Sequence, residues 1–199
     1  MNSTIIESLK KRRTQYALGR NVALDKDALT ALVKEAIKHT PSSFNSQSSR
    51  AVILFGEQSE QFWELTKQEL KKIVPAETFS PNAAKLDSFA AGIGTVLFYE
   101  DQSVVAGLQE QFALYADNFP VWSEQSSGMA QFAVWLALTE AGVGASLQHY
   151  NPVTDEAARQ EWNVPATWKL RAQMPFGSHE GGFGEKAFMD DGQRFITVG

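Results

Sequence analysis

The chain of 199 residues is 43% hydrophobic, which is enough to bury the core of one domain over residues 1–199. Its formal net charge of −5 argues against nucleic-acid binding, and no apolar run approaches the roughly 20 residues that cross a membrane. There is no cysteine, and the histidines at positions 39, 149 and 179 lack ligand spacing, which argues against disulfides, thiolate chemistry and a protein metal site.

The first residues show no basic region followed by an apolar core, so we expect no secretory signal and a cytoplasmic location. Apolar residues at helical spacing predict a helix that Asp27 caps, with Leu29, Val33 and Ile37 on its buried face. The further predicted helices cover residues 3–12, 58–73, 80–89, 102–116, 123–141 and 153–161. The predicted strands cover 51–56, 94–99, 145–150 and 168–176. This irregular order predicts an α+β fold with helices around a central sheet.

The C-terminal tail is polar and glycine-rich, and it ends in the strand-like segment 194–198. Such a segment cannot pack alone, because a strand needs a partner for its backbone groups. We therefore expect the tail to add to the edge of a sheet, on a partner subunit.

The loop Pro41–Ser49 carries five serine hydroxyls and two amide side chains between a predicted helix and a predicted strand. So many donors and acceptors on a short backbone suit a polar planar ligand or a phosphate. The alternative is a serine-rich surface loop that caps the preceding helix.

Two cationic features are candidates for binding a phosphate. Lys10–Thr14 places four cations and a hydroxyl at the end of the first helix, where arginine's planar fork suits phosphate oxygens. The alternative is a solvated basic end that complements the helix dipole. Lys186, after the glycine-rich stretch, is a weaker candidate, because the glycine spacing around it is not that of a phosphate-binding P-loop.

Leu147–Pro152 places polar side chains at the end of an apolar strand, where they can reach a ligand over the sheet. The alternative is a histidine satisfied by local hydrogen bonds. The sequence contains no nucleophile elbow, dinucleotide-binding fingerprint or zinc-protease motif. Difficult chemistry would therefore have to come from an organic cofactor.

Together these segments resemble the nitroreductase family of FMN-dependent oxidoreductases. The order carries the resemblance: Arg12-Arg13-Thr14, then Pro41-Ser42-Ser43-Phe44-Asn45-Ser46-Gln47, then Gly142-Val143-Gly144-Ala145-Ser146 and a late lysine. Tyr16-Ala17-Leu18, Gln148–Pro152 and Gly184–Phe188 are similar to the small branch that contains the yeast Frm2-like proteins and related bacterial nitroreductases.

The resemblance implies a mostly antiparallel sheet and a homodimer with FMN at the subunit interface. Arg12, Arg13, Thr14 and Lys186 would hold the phosphate and ribityl chain, and Tyr16 would lie near N1 of the flavin. Ring contacts would come from Leu147, Gln148 and His149, and from the partner's copies of Pro41, Ser42, Ser43 and Asn45, with Gln47 close by.

The implied activity is electron transfer from NAD(P)H through FMN to nitroaromatic or quinone acceptors by a ping-pong mechanism. The flavin N5 carries the chemistry, so no catalytic side chain is implied.

Tyr16 departs from the pattern, since many larger members have a lysine there. Positive charge near N1 would then come from elsewhere, with Lys85 as one source. The alternatives are a slow-turnover flavin sensor and a non-flavin interaction module. Phe44, Phe119 and Trp122 are candidates for an acceptor pocket or for ordinary packing.

Overall fold

A computed structural model describes residues 4–199. The chain forms an α+β fold in which a five-stranded sheet is flanked by helices, as the sequence predicts. The helices are α1 Thr4–Lys11, α2 Lys26–Lys38, α3 Glu57–Lys71, α4 Ala76–Ala90, α5 Gln102–Gln111, α6 Phe119–Glu140, α7 Asp155–Glu161 and α8 Asp191–Arg194. The strands are β1 Leu18–Gly19, β2 Ser49–Phe55, β3 Gly94–Asp101, β4 Gly144–Ala145 and β5 Trp168–His179. Two 3-10 segments, Ser43–Asn45 and Ala113–Asn118, complete the described secondary structure.

The sheet is antiparallel throughout, with strand order β1-β5-β3-β2 and β4 paired to β5. The central strand β3 is buried along its whole length, which fits its uninterrupted apolar sequence. Its side chains alternate between two cores: Val96 and Phe98 pack with α2 and α6, and Leu97 and Tyr99 pack with α3 and α4. The free edge of β2 lies at one side of the sheet.

Several predicted boundaries are wrong at the helix starts. Asp25, not Asp27, caps α2, because its carboxylate accepts from the Ala28 amide at 2.8 Å. Helix α4 begins at Ala76 after Pro75, so Pro81 lies inside the helix rather than at its first turn. The first helix was predicted to start at residue 3, which lies outside the described residues.

Other predictions gave the wrong extent or type of element. Residues 102–116 form α5 and then a 3-10 segment, and the helix predicted over 123–141 begins earlier, at Phe119. The predicted strand 145–150 is only the two-residue β4, continued by an isolated bridge between Gln148 and Gln173. The predicted strand 194–198 is absent, since Arg194 ends α8 and the residues after it pair with no strand among residues 4–199.

Candidate cofactor site

The two arginines after α1 carry their charge without a carboxylate partner. Neither Arg12 nor Arg13 makes an ion pair within the described residues 4–199. The Arg12 guanidinium lies over the indole of Trp135, 4.4 Å from the ring centroid. Partial burial, and then the charge of Arg13, lowers the pKa of Arg12 below its usual value. An anion at this position would relieve the repulsion between the two cations.

The basic segment, residues 10–14, ends directly beside the end of β4. Thr14 forms a parallel bridge with Ala145, and the Gln15 amide donates to the Ala145 carbonyl at 2.9 Å. The buried Gln15 side chain donates to the carbonyls of Ala17 and Gly181, each at 3.0 Å. These bonds hold segment 12–17 against both the strand end and the tail. A cavity of about 330 Å³ opens here, lined by Arg13–Ala17 and Gly181–Gly184.

The same contacts bring Lys186 close to the arginines. An Arg13 guanidinium nitrogen donates to the Gly184 carbonyl at 2.6 Å, and the guanidinium lies 5.3 Å from the centre of the Phe183 ring. Lys186 follows Gly184 by two residues, which places its backbone within about 7 Å of the bonded glycine. Lys186 is exposed, and its ammonium lies 5.2 Å from the centre of the Phe188 ring.

Gln173 holds the strand-end segment 147–150 through both its backbone and its buried side chain. Backbone hydrogen bonds join Gln148 and Gln173 in both directions, and the Gln173 side chain accepts from the Tyr150 amide at 2.7 Å. The Gln148 side chain turns inward and donates to the Ser146 hydroxyl at 2.6 Å. Leu147 is half-buried and packs against the core that contains Val96 and Phe98, whereas His149 is exposed. His149 is therefore the side chain of this segment that is free for a ligand.

Lys85, one possible source of positive charge from the sequence, lies beside Tyr16. The Lys85 ammonium lies 5.3 Å from the centre of the Tyr16 ring and 5.8 Å from that of Phe89. Lys85 lies on α4, whereas Tyr16 follows α1, so only the fold brings them together. A positive charge therefore lies next to the position where the family pattern has a lysine.

The loop 41–49 adopts a strained conformation. Phe44, Asn45 and Gln47 all have positive φ, between 49° and 56°, although none is glycine. Such residues cost about 1–3 kcal/mol each and persist where the surroundings fix them, often at functional sites. The Ser42 hydroxyl accepts from the Gln47 amide at 3.0 Å and closes the loop, while the hydroxyl of Ser43 makes no described hydrogen bond.

Phe44 projects from this loop into a cluster of aromatic rings. The three candidates from the sequence meet here: Phe44 lies 5.4 Å from Phe119 and 6.2 Å from Trp122, ring centre to ring centre. Phe112 and Tyr115, which were not among the candidates from the sequence, join them at 4.8 Å and 6.5 Å from Phe44. The signal was present, since aromatic residues recur at positions 112, 115, 119 and 122. Phe44 is 52% exposed, so the cluster has an open face.

The two groups of candidate residues lie at different parts of α6. Arg12 contacts Trp135, and Phe44 contacts Trp122, which precedes Trp135 by 13 residues. That separation corresponds to about 20 Å along a helix. One chain therefore assembles the basic segment, the strand end and Lys186, and it places the loop 41–49 elsewhere.

Comparison with known proteins identifies the family. The model of the Nitroreductase family matches residues 9–178. The chain is 30% identical over 190 residues to the nitroreductase FRM2 of Saccharomyces cerevisiae, covering 94% of this chain and 93% of that protein. It is similar to the nitroreductase CinD from Lactococcus lactis in complex with chloramphenicol, with 55% identity and a TM-score of 0.90 over 98% of this chain and 100% of that one.

CinD in complex with 4-nitrophenol gives 54% identity and a TM-score of 0.89 with the same coverage. No helix in residues 4–199 is long and apolar enough to cross a membrane. Because the family match and the FRM2 relative both span most of the sequence, the chain belongs to the nitroreductase family of oxidoreductases, in the branch that contains FRM2.

Proposed function

We propose that this protein is an FMN-dependent oxidoreductase that transfers electrons from NAD(P)H to nitroaromatic or quinone acceptors in ping-pong turnover. The observation that carries the proposal is that Arg12 and Arg13 pair with no carboxylate within residues 4–199 and directly precede Thr14 and Gln15, which bond the end of β4. The two similar CinD structures contain chloramphenicol and 4-nitrophenol, which supports nitroaromatic compounds as the acceptor class for this chain.

The residues at the basic segment suit the phosphate of FMN. Two guanidinium groups offer planar forks of donors, Thr14 offers an exposed hydroxyl, and Lys186 is close by. No carboxylate pairs with either arginine in residues 4–199, so the local field favours an anion although the whole chain is acidic. In this arrangement Arg12, Arg13 and Lys186 neutralise the phosphate, and Thr14 hydrogen-bonds the phosphate or ribityl chain.

The chemistry that bound FMN would supply is two-electron transfer through N5 of its ring. The protein then needs to position the ring and to stabilise charge that develops at N1 and O2. The exposed His149 side chain is free to contact the ring, and Leu147 would offer the part of its side chain that the core leaves uncovered. Gln148 would contribute through its backbone, because its side chain bonds the Ser146 hydroxyl. Lys85 beside Tyr16 offers the positive charge, which weakens the alternative of a slow-turnover sensor based on the neutral phenol.

A second copy of the chain would complete the site. In one chain, about 20 Å of helix separates the basic segment from the loop 41–49. A partner's loop would add Pro41, Ser42, Ser43 and Asn45 to the flavin, with Gln47 nearby, and Phe44 of that loop would bring the aromatic cluster to the acceptor side. A flat, apolar acceptor would stack on such rings.

The exposed apolar residues support the assembly. Helix α6 has apolar residues on more than one face, and it leaves Val121, Met129 and Phe132 exposed. In the tail, Ile196 and Val198 are about 90% exposed in the single chain. Exposed apolar surface of this kind marks an interface in soluble proteins. We propose that the tail lies on the partner subunit, with the free edge of β2 as a place for it to pair.

Turnover tests this function directly. The protein reconstituted with FMN should oxidise NADH or NADPH only when an acceptor such as 4-nitrophenol, chloramphenicol or a quinone is added. Double-reciprocal plots at several acceptor concentrations should give the parallel lines of ping-pong kinetics. Reconstituted protein that reduces none of these acceptors with either nucleotide would contradict the proposal.

A further inference from the structure

Glu100 is a buried carboxylate that the proposed function leaves without a role. It lies on β3, is fully buried, and accepts three hydroxyl hydrogen bonds. Ser48 and Ser123 donate to one oxygen at 2.6 and 2.7 Å, and Ser49 donates to the other. No cation within residues 4–199 pairs with it. A carboxylate buried in this way is costly unless its bonds are kept, so the three hydroxyls are constrained in return.

Two of the three donors end the loop that carries the partner-side ligand residues. Ser48 and Ser49 close the segment 41–49, and the Ser48 carbonyl accepts from the Asp101 amide at 3.0 Å. Asp101, the next residue after Glu100, pairs with Arg50 at 3.2 Å, and Arg50 donates to the carbonyl of Gln47. Two consecutive acidic residues at the end of β3 thus fix the last residues of the loop.

This anchoring accounts for the strained backbone beside it. Phe44, Asn45 and Gln47 have positive φ without being glycine, and such a conformation persists only where neighbouring contacts determine it. The Ser42–Gln47 hydrogen bond closes the loop on itself, but it does not attach the loop to the sheet. Attachment to the sheet comes through the hydroxyls of Ser48 and Ser49 to Glu100, and through Arg50 and the Ser48 carbonyl to Asp101. Phe44 is held separately, by the aromatic cluster.

We propose that Glu100 is a positioning residue for the flavin site. It acts through Ser48 and Ser49 to hold the loop 41–49 in the conformation that presents Ser42, Ser43 and Asn45 to FMN of the partner subunit. The inference rests on the proposed function. Its third donor, Ser123, belongs to α6 and not to the loop, so its hydroxyl bonds Glu100 without fixing the backbone of residues 41–49.

The matched variants are Ser48→Ala and Ser123→Ala. Each removes one hydroxyl from the same oxygen of Glu100 at nearly the same distance, and both serines are buried. If Glu100 acts through the loop, Ser48→Ala weakens FMN binding by about 10- to 100-fold, the range expected for a hydrogen bond to a charged group. Ser123→Ala lowers Tm by about as much as Ser48→Ala does, but it leaves FMN affinity unchanged. Equal FMN affinity in the two variants overturns the proposal.

Hydrogen exchange of the apoprotein supplies a readout that does not depend on flavin. Amides of residues 43–48 should exchange faster in Ser48→Ala and Glu100→Gln than in wild type or Ser123→Ala, while β3 keeps its protection. Unchanged exchange in the loop of Ser48→Ala overturns the proposal even if Glu100→Gln fails to fold. Wild-type protein that takes up no FMN would instead contradict the proposed function, and the exchange data would still show whether Glu100 holds the loop.

Discussion

The guanidinium of Arg12 lies 4.4 Å from the centre of the Trp135 indole, which joins the segment after α1 to the C-terminal half of α6. The contact orients the guanidinium without neutralising its charge, because the indole face attracts the cation but carries no negative charge to pair with it. The N–H donors along the edge of the guanidinium stay available for a phosphate.

Replacement of Arg12 tests this role. Arg12→Ala should weaken FMN binding by about 1.5–3 kcal/mol, since it removes charge-assisted hydrogen bonds to the phosphate. The measurement is a fluorescence titration of apoprotein with FMN. Lys10→Ala is the control, because Lys10 is an exposed cation of the same segment that pairs with Glu7 at 2.8 Å. If both variants bind FMN as wild type does, Arg12 is not a phosphate ligand.

Subunit mixing tests whether the site is composite. Arg12→Ala and Asn45→Ala should each weaken FMN binding as homodimers. In a mixed dimer, one site carries both substitutions and the other carries neither. After random exchange of equal amounts, about a quarter of all sites should therefore regain wild-type affinity. A titration of the mixture that shows no tight-binding fraction, under conditions where exchange of tagged subunits is verified, would mean that the loop 41–49 does not act across an interface.

The tail offers a test of assembly. Ile196 is 92% exposed in the single chain, so Ile196→Asp should cost the isolated fold little. If the tail packs on a partner, the added carboxylate should shift the dimer toward monomer in sedimentation velocity and lower FMN affinity with it. Thr197→Asp is the control, because adjacent side chains of an extended segment point to opposite sides. A sedimentation profile of Ile196→Asp identical to that of wild type would argue against the tail as an interface.

Lys85 should set the redox potential of the cofactor. Lys85→Met removes the positive charge beside Tyr16 and should lower the two-electron midpoint potential by about 30 mV, equivalent to about 1.4 kcal/mol. Spectroelectrochemistry measures the potential. Lys71→Met, which removes an exposed lysine from α3, should leave it unchanged. The assignment fails if the two variants have the same potential.

The sequence predicted the elements whose identity depends on local pattern. Strands over 51–56, 94–99 and 168–176 are present as β2, β3 and β5. The apolar run specifies the buried strand β3, and the alternation of Leu170, Ala172 and Met174 specifies β5. The strand predicted over 194–198 was wrong for the single chain, in which the residues after Arg194 pair with no strand within residues 4–199, and Ile196 and Val198 are exposed. A strand is a property of a pair of segments, and the second segment is not local.

The candidate site divides in the same way. The motifs indicated Arg12, Arg13 and the loop 41–49, and the fold adds a hydrogen bond from Arg13 to the Gly184 carbonyl, two residues before Lys186. The sequence could not place Lys85 against Tyr16, because they belong to different helices and loops. Nor could the sequence indicate Glu100, because a single carboxylate at the end of an apolar strand forms no pattern that predicts three serine donors.

The visible absorbance spectrum of the purified protein, recorded anaerobically before and after addition of NADH or NADPH, tests the central claim most directly. Flavin bands near those of bound FMN should be present on purification or after addition of FMN and desalting. They should bleach with one nucleotide and return with a nitroaromatic acceptor. Protein that retains no flavin after that treatment would contradict the assignment of Arg12, Arg13 and Lys186 to an FMN phosphate, and with it the proposed function.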